Sequence, residues 1–127
     1  MILAATHQQP HKLVSLEMGG KNAAFVHHDA DLVQTAKELL NAAYITCGQR
    51  CTATSQAFVH ESRIEELASL LNNALPKLPV GDPFDDGTFM GPIIDQTAKM
   101  RLLELNHSAS KAGVKTIHEG RGIGHSG

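Results

Sequence analysis

Two cysteines, Cys47 and Cys51, stand four positions apart in the stretch TCGQRCTA. A thiolate is a strong side-chain nucleophile, and its pKa falls near positive charge or at a helix start. Arg50 precedes Cys51, and Gly48 and Gln49 permit a tight backbone there. Cys51 is therefore the candidate nucleophile. The competing reading is a buried structural thiol, the usual fate of an intracellular cysteine. Cys47 is expected on the apolar face of a helix. C-x-x-x-C on a helix would place both sulfurs on one side, so zinc or a disulfide must be weighed. Structural zinc needs four ligands, usually with C-x-x-C pairs. Only His27 and His28 come near as further donors, so no metal is expected.

Glu17 lies between an apolar run and the pair Gly19-Gly20. A carboxylate at the end of a buried strand is costly unless it is paired or functional. Desolvation would raise its pKa toward that of a general base near neutrality. The competing reading is an exposed glutamate at a strand end. The glycines form no phosphate loop: neither G-x-x-x-x-G-K-S/T nor G-x-G-x-x-G before a helix occurs. GRGIG near the end has no helix after it. The eight histidines read as scattered, not clustered at ligand spacings.

These residues must be held by regular elements. Leu13 to Leu16 (LVSL) reads as a short buried strand broken by Gly19-Gly20, and Ala23 to Val26 as a second. Asp31 is an N-cap with Gln34 in capping-box position. The helix after it puts Leu32, Ala36, Leu39, Leu40, Ala43 and Cys47 on one face and ends at Gly48. Gln56 to His60 reads as a strand. Ser62 and Glu65 form a second capping box before a helix carrying Ile64, Leu67, Ala68, Leu71 and Leu75, with Pro76 at its stop. The Gly-, Pro- and Asp-rich stretch 78–95 is a long connection. Asp95 caps a third helix with Ala98, Leu102, Leu105, Ala109 and Ala112 on its apolar face, closed by Gly113. Val114 to His118 reads as a last strand. Helices alternating with strands give an α/β fold around a parallel sheet. The last strand and tail look unfinished, as if the fold continued past Gly127.

Composition narrows the partners. The chain has 127 residues, 42% hydrophobic and 19% charged, close to an ordinary globular protein. No apolar run is long enough for a membrane span, and the start is too short in its apolar core for a signal peptide. The net charge of −2 and an aromatic content of 4% without Trp argue against nucleic acid as the main partner. Two cysteines without a secretory signal suggest a reducing, cytoplasmic setting.

Together the motifs carry a resemblance. LEMGGKN at Leu16 to Asn22 resembles the glutamate signature of the aldehyde dehydrogenase superfamily, and GQRCTA at Gly48 to Ala53 its cysteine signature. The 34 positions from Glu17 to Cys51 match the family's usual interval. DADL at Asp29 to Leu32 and VGDPFDDGTFMGPII at Val80 to Ile94 are similar to further family blocks. EMGG, GQRCT and His7-Gln8 are similar to succinylglutamate semialdehyde dehydrogenases, whereas GGKN is closer to the general pattern.

The resemblance implies NAD(P)-dependent oxidation of an aldehyde, with no metal. Cys51 is then the nucleophile that forms a thiohemiacetal and, after hydride transfer, a thioester. Glu17 is the base that activates the hydrolytic water. The Cys51 backbone N–H is half of an oxyanion hole, and Gly19 and Gly20 let the chain turn beside the nicotinamide. Acyl transfer needs this combination of one soft nucleophile and one tunable base. The family often carries an arginine a few residues after the cysteine; Gln56 stands here, which loosens any inference about substrate.

The implied architecture is part of a three-layer α/β/α catalytic domain with an incomplete sheet. Residues 1–20 would end the cofactor-binding domain and form the hinge, and 21–127 would begin the catalytic domain, about a middle quarter of a family member. Such a segment is expected to be inactive alone. Its small-molecule partner would be an aldehyde, and it would form a homo-oligomer or self-associate. Two other readings are a non-catalytic α/β association module that retains the motifs, and a stand-alone cysteine hydrolase, which needs a histidine near Cys51.

Overall fold

The computed structural model describes residues 2–120. Its centre is a two-stranded parallel sheet, β1 (Asn22–Val26) and β2 (Thr54–Val59). The strands pair Ala24 with Ala57, Phe25 with Phe58 and Val26 with Val59, with a register irregularity between Asn22 and Ala23. Parallel neighbours need a crossover. Here it is α2 (Leu32–Tyr44). Asp31 starts this helix as expected: its carboxylate accepts from the N–H groups of Val33 and Gln34 at 3.0 and 3.1 Å. The capping box does not form, because the Gln34 amide turns forward to donate to Glu38 at 2.7 Å.

After β2, a short 3-10 turn (Glu61–Arg63) leads into α3 (Ile64–Ala74). The expected Ser62–Glu65 box is also absent. His60 caps the turn instead, accepting from the Ser62 N–H, and α3 has no side-chain cap. α2 and α3 pack on one face of the sheet. Val26, Leu32, Ala36 and Leu67 form the buried cluster, with Leu39, Val59, Leu70 and Leu71 against it. The other sheet face is bare among the described residues: Phe25 and Phe58 stack at 5.3 Å and remain exposed. This is the expected partial α/β fold with an incomplete sheet, showing one helical layer.

Elsewhere the sequence pattern misleads. Leu13 to Leu16 is not a strand; Leu13 is 98% exposed, and among the described residues no neighbouring strand completes its ladder. Val114 to His118 is irregular for the same reason, with Val114 and Ile117 exposed. A short helix, α1 (Ile2–Thr6), precedes the sheet unforeseen and buries nothing. α4 (Gln96–Lys111) forms where expected, and Asp95 caps it by accepting from the Ala98 N–H at 2.7 Å. Yet it buries no residue, and its apolar positions Leu102 and Leu105 face solvent. The connection 78–95 is not featureless: Val80 and Met90 form an isolated parallel bridge. Of the tail motif GRGIG, residues 121–124 lie outside the described residues. No described helix is long and apolar enough to cross a membrane.

Candidate active site

β1 and β2 run side by side in the same direction, so the segments entering them share one edge of the sheet. Glu17 and Gly19-Gly20 lead into β1 at Asn22; Cys51 leads into β2 at Thr54. The α2 crossover thus sets the two strand starts, Asn22 and Thr54, side by side.

Asn22 fastens the two segments together. Its side-chain N–H groups donate to the carbonyls of Cys51 and Ala53, at 2.6 and 3.0 Å. Ser55 Oγ donates back to the Asn22 carbonyl at 3.3 Å. Residue-by-residue reasoning missed Asn22. The signal was its place at the end of the LEMGGKN motif, one polar residue at a strand start.

The loop carrying Cys51 is built from turns. α2 stops at Tyr44, and Cys47 and Gly48 adopt left-handed backbone, with φ of 56° and 68°. Cys47 is therefore past the helix and not on its apolar face, which corrects that expectation. A Cβ at Gly48 would be crowded, 3.3 Å from the Ala43 carbonyl oxygen, and its left-handed backbone itself favours glycine. The loop is held from the far side by residues 89–94. Cys47 Sγ donates to the Gly91 carbonyl at 3.0 Å, and Gln49 accepts from the Ile94 N–H at 2.9 Å. That strap is itself tied down, since the N–H groups of Phe89 and Met90 donate to the Pro79 carbonyl. The GQRCTA and VGDP…MGP blocks are therefore one structural unit.

The two thiols differ. Cys47 is half-buried, and burial pushes its thiol up from the ordinary range. Cys51 is exposed. Both are free, so the disulfide weighed above is absent. Glu17 is exposed, in the irregular segment before β1. Gly19 and Gly20 carry no left-handed backbone. A Cβ at Gly19 would meet nothing within 4 Å, and one at Gly20 would stand 3.6 Å from Asn22 Oδ1.

The opposite edge gathers other polar groups. His27 and His60 follow β1 and β2 directly, and His28 joins them. The three rings lie 4.2 to 6.2 Å apart by centroid. Histidines that look scattered in sequence are therefore clustered by strand pairing. His27 Nδ1 donates to Asp29 at 2.9 Å, and this holds the Asp29 carboxyl below the usual range.

Residues 1–127 match the model of the aldehyde dehydrogenase family. The chain belongs to that family. It is 39% identical over 116 residues to the mitochondrial aldehyde dehydrogenase of Leishmania tarentolae, covering 91% of this chain and 23% of that one. It is 42% identical over 104 residues to human retinaldehyde dehydrogenase 3, covering 82% and 20%. Among solved structures it resembles succinate-semialdehyde dehydrogenase from Burkholderia pseudomallei, with a TM-score of 0.78 and 31% identity over 88% of this chain and 23% of that chain. It also resembles a betaine aldehyde dehydrogenase from Staphylococcus aureus in complex with NAD+, with a TM-score of 0.74, 31% identity, and coverage of 76% and 19%. The chain thus spans about a fifth to a quarter of the length of the relatives it matches.

Proposed function

We propose that this chain supplies the nucleophile and the base of an NAD(P)-dependent aldehyde dehydrogenase, which converts an aldehyde to a carboxylic acid. One observation carries the reading. Parallel pairing of β1 and β2, with Asn22 bonded to the Cys51 carbonyl, supports it by setting the starts of the two motif-bearing strands side by side.

The Cys51 thiolate adds to the aldehyde carbon, and the oxygen becomes an oxyanion. The Cys51 backbone N–H is one donor able to stabilise it. The nicotinamide cofactor, when bound, would supply the hydride acceptor, with Gly19 and Gly20 as the residues of this chain beside it. A thioester on Cys51 remains. Glu17 takes a proton from water, the resulting hydroxide attacks the thioester, and the acid leaves as Cys51 regains its thiolate. The EMGG and GQRCT wording supports a succinylglutamate-type semialdehyde as a substrate to try.

The domain division at residue 20 fits a sheet that starts at Asn22 and an α1 that buries nothing. The uncovered face around Phe25 and Phe58 and the exposed side of α4 favour oligomerisation or self-association. A clean monomer in light scattering would count against that part.

The test places residues 1–127 in a full-length relative, in exchange for its matching stretch. Glu17→Gln should lower turnover by about 100-fold or more. A Cys51 acyl thioester should then accumulate and be visible by intact mass. Turnover equal to the parent would overturn the assignment of Glu17. The isolated chain should form no NADH from aldehyde and NAD.

A further inference from the structure

At the edge of the sheet remote from Cys51, His27, His28, Asp29 and His60 form a group the dehydrogenase chemistry does not use. β1 rises roughly 13 Å from Asn22 to Val26, so this group is separate from the Cys51 loop. His27 Nε2 and His28 Nδ1 stand 3.4 Å apart. Two nitrogens each about 2.05 Å from a tetrahedral Zn2+ stand about 3.3 Å apart. The pair is therefore already spaced as two ligands of one ion. The other nitrogen of His27 donates to the Asp29 carboxylate at 2.9 Å. That is the outer contact that fixes the tautomer and ring direction of a metal-binding histidine and strengthens its free nitrogen as a donor. Ligand atoms of His27, His28 and Asp29 all lie within 4.8 Å of one another.

His60 stands beside the pair, with its ring 5.6 Å from His28 and 6.2 Å from His27. Its Nδ1 is engaged by Ser62, and no ligand atom of it joins the His27, His28 and Asp29 group. The side chains are exposed, so an ion reaches them without rearrangement of the core. The start of α2, with its partial positive charge, opposes a cation here. Asp31, bonded to the first N–H groups of that helix, and Asp29 offset it.

We propose that His27 and His28 form a surface site for a borderline transition ion of the Zn2+, Ni2+ or Cu2+ class. Imidazole suits these ions, and Asp29 acts as the outer-sphere partner.

The experiment titrates the 127-residue chain with ZnCl2 by calorimetry, in a Cys47→Ser/Cys51→Ser background that removes thiol binding. Parallel spectra follow the histidine ring nitrogens by NMR. One equivalent of Zn2+ should bind, with shifts concentrated on His27 Nε2 and His28 Nδ1. His27→Ala and His28→Ala should each weaken binding more than about tenfold, and Asp29→Asn by about tenfold. His60→Ala should weaken it less, and His7→Ala should leave it unchanged. The proposal is overturned if no Zn2+ binds, if the shifts fall on other histidines, or if His27→Ala and His28→Ala bind like the parent. The readout does not involve dehydrogenase activity, so the outcome is independent of the roles of Cys51 and Glu17.

Discussion

α2 and α4 are both capped by an aspartate whose carboxylate accepts from the first N–H groups, and both carry a stripe of apolar residues. α2 buries Leu32, Ala36 and Leu40, whereas α4 buries nothing. Caps and helical periodicity therefore decide where a helix forms. Burial depends on what lies opposite. α2 has the sheet and α3. α4 has no such neighbour among the described residues, and its stripe is a surface awaiting contact.

The contrast can be broken most sharply at one leucine on each side. Leu67 is 2% exposed and joins α3 to the core. Leu67→Ala should cost about 2–4 kcal/mol in urea unfolding of the chain. Leu105→Ala in α4 should cost less than about 0.5 kcal/mol. Equal losses would mean that α4 packs as firmly as α3. The next effect is at the clamp between the strands. Asn22→Ala removes two hydrogen bonds and strands the Cys51 and Ala53 carbonyls, which should cost about 1–2 kcal/mol. Faster amide exchange confined to residues 50–54 would accompany it.

Removing the caps sharpens the comparison further. Asp31→Ala should cost about 1 kcal/mol of global stability. Asp95→Ala should lower helicity by circular dichroism while leaving the urea midpoint almost unmoved, because α4 is not coupled to the core. The smallest effect concerns the thiols. Burial raises the Cys47 pKa, so the thiolate is withheld until the pH climbs through that raised value. At pH 8, iodoacetamide should label the exposed Cys51 first, and Cys47 should catch up only in alkali or urea.

Where local chemistry decides the outcome, the sequence was readable. Asp31 and Asp95 marked their helices, and the Glu17 and Cys51 motifs pointed to the family. Long-range pairing was not readable from periodicity. Leu13 to Leu16 and Val114 to His118 have strand-like composition, but a strand needs a neighbour and neither has one among the described residues. Cys47 fitted the helical period, yet the left-handed turn at Cys47 and Gly48 ends the helix three residues sooner. Asn22 and the histidine group were missed because their partners are about thirty positions away and meet only through the β1–β2 register.

Cys51, whose carbonyl Asn22 holds, is the proposed nucleophile. The direct measurement is NADH formation by the full-length relative carrying residues 1–127, compared for Cys51→Ser and Cys47→Ser. Cys51→Ser should abolish NADH formation, while Cys47→Ser should retain it with a less stable loop. Retained activity in Cys51→Ser would contradict that role for Cys51.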